Sequence, residues 1–90
     1  MEVTLRIEGS FSLKDKRKIV KHLLDVIRVR LHLAVGETND QELHNLATLG
    51  FSVVSNNALH ASEVLDKTME VILSDPRIEV EDFQRDVQHV

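Results

Sequence analysis

Five of the ten side chains in Ser12–Lys21, SLKDKRKIVK, are Lys or Arg, in a chain of 90 residues whose formal net charge is −4. Ammonium and guanidinium groups gathered in this way do one kind of chemistry: they attract and neutralise oxyanions, phosphates above all. On a helix of 3.6 residues per turn, Lys14, Arg17, Lys21 and Arg28, spaced 3, 4 and 7 apart, form one stripe with Lys18 beside it. Such a stripe costs stability. Like charges at i,i+3 or i,i+4 repel by roughly 0.2–0.5 kcal/mol per pair, and cations in the first turn oppose the helix dipole by about 0.3–1 kcal/mol each. Asp15 and Asp25 offset only part of this. A flank kept merely for solubility is the plain alternative, but a helix built for stability alone would carry Glu in place of Lys14 and Arg17. The stripe Lys14, Arg17, Lys18, Lys21 and Arg28 is therefore the candidate site, and its ligand would be polyanionic.

Other groups with chemical potential are poorer candidates. Glu37, Asp40 and Glu42, with His44, supply oxygen donors on a polar connection, where they would hold magnesium or calcium only weakly; a solvated hairpin is the expected role. His60 and Glu63 share a helix face but lack a second pair, and His22, His32 and His89 are isolated. The absence of Cys removes disulfides, thiolate nucleophiles and zinc sites that need sulfur. No metal and no cofactor is expected.

The elements that must position the stripe follow from periodicity. Val3, Leu5 and Ile7 alternate with charged and polar residues in EVTLRIE, which predicts a strand with one buried face. Ser12 and Asp15 form a capping box that opens a helix of about Leu13 to Arg30, with Leu13, Val20, Leu23, Leu24, Ile27 and Leu31 on its buried side. LHLAVGE reads as a second strand and LATLGFSVVS as a third, with Leu49, Phe51 and Val53 toward the core. Asn56 or Asn57 caps a second helix of about Ala58 to Leu73, which Pro76 follows, and Ile78 and Val80 mark a fourth strand with a blurred end near Phe83. Phe11 precedes the first N-cap, but its staple partner would be Lys16. Its ring is expected at the edge of the core, with an exposed contact beside the stripe as the alternative.

The resulting order, βαββαβ with right-handed crossovers, predicts one α+β domain over residues 1–90: a ferredoxin-like four-stranded antiparallel sheet with two helices on one face. Residues 1–36 carry eight Lys or Arg against four Asp or Glu, +4, and residues 37–90 carry three against eleven, −8, so one surface should be basic. No apolar run reaches the roughly 18 residues that span a bilayer, and MEVTLRIE is not a signal-peptide core. A soluble cytoplasmic protein without a membrane partner is expected.

SLKDKR after an alternating first strand, ATLGFSVVSN on the third strand and EVLDK in the second helix together resemble the YlxP-like proteins, small uncharacterised bacterial proteins grouped as a domain of unknown function. The resemblance covers nearly the whole chain, although His44 stands where that family commonly has Trp. It implies a ferredoxin-like fold, a bacterial cytoplasmic protein, and a gene set among those for translation initiation and ribosome maturation. RNA or a ribosomal particle is then the expected polyanion, with an acidic protein surface as the competing partner. Base stacking on the sheet is not expected, because the chain has no Trp or Tyr and Phe83 is the one Phe within reach of that face; a KH-type GXXG loop is absent as well. Acylphosphatases share the size and fold, but GSFSLKDKR holds one Gly where their phosphate loop is Gly-rich, although Arg17 and Asn56 are present. The chain is expected to be a binding module and not an enzyme. Small residues on the sheet face, Ala34, Gly36, Thr48, Gly50 and Ser52, predict a homodimer.

Overall fold

The computed structural model describes residues 1–9, 11–39 and 43–86. Alternation gives strand β1 (Glu2–Ile7), whose Val3, Leu5 and Ile7 are buried. Gly9, at φ +76°, turns the chain in a left-handed conformation that costs glycine little.

Helix α1 (Leu13–Leu31) begins as its capping residues dictate. Ser12 Oγ accepts from the Asp15 N–H at 3.2 Å, and Asp15 Oδ2 accepts from the Phe11 N–H at 3.4 Å, one residue before the cap. The helix keeps Leu31 and ends on His32, which is left-handed (φ 52°, ψ 45°) and donates its N–H to the Arg28 carbonyl at 3.1 Å. The expected strand over Leu31–Glu37 is therefore shifted. Leu31 lies four residues beyond Ile27 and seven beyond Leu24, so it continues the helical stripe as readily as it opens a strand. Strand β2 is Ala34–Asn39, and His32, inside the expected strand, is the C-cap of α1.

Strand β3 (Leu46–Ser52) stops three residues before the expected Ser55, because its neighbour β2 begins at Ala34, opposite Ser52. Past that point it has no ladder, so Val53 is only half-buried and Val54 is exposed. Helix α2 (Ala58–Leu73) is capped by Asn57, whose Oδ1 accepts from the Leu59 and His60 N–H groups at 3.0 and 3.3 Å, and it buries Ala61, Leu65, Thr68 and Ile72. Strand β4 (Ile78–Gln84) completes the expected order.

The sheet runs β2-β3-β1-β4 with every neighbouring pair antiparallel, which is the ferredoxin-like α+β arrangement. Val20, Leu23, Leu24 and Ile27 of α1 and Leu65 and Ile72 of α2 share one cluster with Val3, Leu5, Ile7, Leu49 and Phe51, so both helices cover the same face. Two irregularities shape the other face. Leu5 pairs with Val80 but Thr4 with Asp82, which makes Glu81 an extra residue, and Glu37 pairs with Leu49 but Asn39 with Thr48, which leaves Thr38 extra.

Candidate functional site

Burial and charge divide α1 lengthwise. Its inner side is apolar, with one exception: Lys16 is buried, and its Nζ lies 2.9 Å from Glu37 Oε2 on β2. Its outer side presents Lys14, Arg17, Lys18, Lys21 and Arg28, all exposed, so the structure brings the five expected site residues onto one surface.

The stripe has two unequal halves. Toward the helix C-terminus, Asp25 stands between two cations: Oδ2 lies 3.4 Å from Lys21 Nζ and Oδ1 lies 3.4 Å from Arg28 Nη1. Arg28 Nη2 also donates to the Val35 carbonyl at 3.2 Å, which ties the guanidinium to β2. Toward the N-terminus, Lys14, Arg17 and Lys18 make no salt bridge among the described residues. Within the stripe, these three are the cations with most left to offer an anion.

The opposite face of the molecule is acidic. Glu2, Glu79 and Asp82 follow the register of the open sheet side, and Glu81 reaches Arg6 there through an ion pair with its Nε. A polyanion meeting this domain is attracted to the outer side of α1 and repelled from the sheet.

The open face also lacks a stacking platform. Phe83 pairs with Val3, which turns its ring to the helix side, and Phe51 is buried. The chance that Phe83 reaches the open face is removed by the bulge at Glu81, which changes the phase of the strand end. Part of the small-residue surface is already occupied: Thr38 donates to Glu2 Oε2 at 3.1 Å and folds over Gly50, where an added Cβ would meet Thr38 Cγ2 at 2.7 Å. Gly36 has nothing within 4 Å of such a Cβ.

Phe11 is not at the core edge. It is 87 % exposed, because Lys16, its position-matched staple partner, is directed inward to Glu37 and offers no apolar surface. Glu37 itself belongs to β2 and not to an acidic loop site, while Asp40 and Glu42 lie outside the described residues. Among the described residues no three His, Asp or Glu side chains gather as a metal site, and no helix is long and apolar enough to cross a membrane.

The fold and the surface thus define a small ferredoxin-like α+β domain with a cationic first helix. The family model described as "protein of unknown function (DUF503)" matches residues 1–85, and the chain belongs to that family. No curated protein matches the chain.

Proposed function

We propose that this domain is a binding module, not an enzyme, that engages RNA phosphates, free or on a ribosomal particle, through the outer side of α1. The observation that carries this reading is the trio Lys14, Arg17 and Lys18, exposed and without salt bridges among the described residues in a chain of net charge −4. Lys21 and Arg28 extend the surface along two further turns. Sequence-tolerant attraction to phosphate is what such a surface supplies, and the acidic sheet face fixes which side is presented. The narrower likeness of SLKDKR to YlxP-like proteins supports the same reading through the translation-associated setting it implies, and with it a bacterial cytoplasmic location.

The test is the triple charge reversal Lys14→Glu, Arg17→Glu, Lys21→Glu. Binding to ribosomal subunits and to total RNA should be abolished at low salt. Removing three phosphate contacts should flatten the dependence of log K on log salt by about two to three units. Unaltered binding in this variant overturns the proposal, as does a wild-type protein that binds an acidic protein and has no affinity for RNA.

A further inference from the structure

Phe11 is the aromatic side chain most open to solvent, at 87 % exposure, and it sits three residues ahead of Lys14. Three residues of chain reach at most about 10 Å, so the ring and the first cation of the stripe can touch one ligand. Among the described residues it is the one Phe available beside the stripe, since Phe51 is buried and Phe83 is registered with Val3 on the far edge strand; the chain has no Trp or Tyr, and the exposed His22 imidazole lies more than two helical turns further along α1.

A ring 87 % exposed at this place forgoes most of the burial that favours a Phe side chain, and no described residue covers it. Its backbone is held, since the Phe11 N–H donates to the Asp15 carboxylate inside the first turn. The ring is thus presented at the start of a rigid helix, beside cations that lack acidic partners among the described residues.

We infer that Phe11 stacks on an unpaired base while Lys14, Arg17 and Lys18 hold the adjoining phosphates, so that the ligand is single-stranded RNA. This rests on the phosphate reading above and narrows it. The flat apolar face and the oxyanions that the site asks for occur side by side on a single strand, whose bases are splayed out; in a duplex the base faces are stacked internally and a surface ring cannot reach them. An acidic protein surface would satisfy the cations but lacks the regular alternation of flat ring and oxyanion that runs along a single strand.

The experiment compares wild type, Phe11→Ala, Phe11→Trp and the triple charge reversal on three probes: a short single-stranded oligoadenylate, a blunt RNA duplex of equal length, and inorganic polyphosphate. Phe11→Ala should lose roughly 5- to 150-fold in affinity for the oligoadenylate, the range that stacking on one base supplies, with its salt slope unchanged. Its affinity for duplex and polyphosphate should stay at the wild-type value. Phe11→Trp introduces the single Trp of the chain, and its fluorescence should be quenched by oligoadenylate and not by polyphosphate.

Equal affinity of Phe11→Ala and wild type for oligoadenylate overturns the stacking role, and so does an equal loss on all three probes. If the triple reversal loses binding while Phe11→Ala does not, stacking alone falls and the phosphate reading stands. If the triple reversal binds all probes as wild type does, both fall.

Discussion

Glu37→Gln removes one charge from the pair that pins α1 to the sheet. Lys16 Nζ is 2.9 Å from Glu37 Oε2, and the two side chains are 1 % and 19 % exposed. Taking an ammonium out of water is offset here by a carboxylate delivered from β2, where Glu37 lies opposite Leu49. Losing one member of a buried ion pair costs about 3–5 kcal/mol, because the other charge stays behind in a poorly solvated place. Water reaches the Glu37 end, which moves the expectation to the lower limit, about 3 kcal/mol. For a domain of this size each kcal/mol shifts Tm by about 4–8 °C, so Tm should fall by roughly 12–24 °C. Thermal and urea unfolding followed by circular dichroism measure both quantities. Replacing both residues, Lys16→Met with Glu37→Leu, should return stability to within about 1 kcal/mol of wild type, since two apolar side chains of similar reach leave no charge to strand. A loss below about 1 kcal/mol in Glu37→Gln, or a double variant as unstable as the single, refutes the reasoning.

Gly50→Ala should be destabilising, because its Cβ would lie 2.7 Å from Thr38 Cγ2, whereas Gly36→Ala should unfold at nearly the wild-type temperature, with no atom within 4 Å. Adding Thr38→Ser to Gly50→Ala should recover much of the loss. At the end of α2, Arg77 holds the Asp75 carboxyl below its ordinary range, chiefly through the side-chain hydrogen bond of 2.7 Å to Oδ2. A depressed carboxylate pKa adds stability above the unfolded value of about 3.9 and loses it as pH falls through the folded one. The Tm difference between wild type and Asp75→Asn should therefore be constant from neutrality to about pH 5 and shrink below pH 4. The triple reversal on α1 should leave Tm close to the wild-type value, since all three positions are exposed: acids in the first turn favour the helix dipole, while Lys21→Glu gives up the ion pair with Asp25.

Most elements were legible because each keeps one period over its length. Val3, Leu5 and Ile7 fix β1, the Ser12 and Asp15 cap fixes the start of α1, and Asn57 fixes that of α2. The outward stripe was legible for the same reason: once the apolar side of α1 is known, Lys14, Lys18 and Lys21 fall away from it and Arg17 on its flank, seven residues before Leu24. Where two periods coincide the pattern misleads, as at Leu31, which fits both helix and strand. Side-chain type misled at Lys16. The residue stands four before Val20 and seven before Leu23, and Glu37 continues the alternation of Leu33 and Val35, so position alone placed both inward while their charges suggested water. Phe11 depended on that pair, since its exposure follows from the inward turn of Lys16. The bulges at Thr38 and Glu81 arise from pairing across the sheet and leave no mark in either strand by itself.

The central place of β1 has a consequence for how the chain acquires its structure. Its two ladders join residues far apart in sequence: Thr4 pairs with Thr48, 44 residues on, and Arg6 with Glu79, 73 residues on (79 − 6). No local hairpin includes it, so closure is entropically costly and comes late. At about 5–20 residues per second, the interval between synthesis of Ile7 and of Gln84 is roughly 4–15 s, during which Val3, Leu5 and Ile7 have only one prospective neighbour or none. An apolar strand left waiting is a hazard for aggregation, and interleaved charge is what suppresses it. Glu2, Arg6 and Glu8 thus serve the nascent chain before the sheet they will decorate exists.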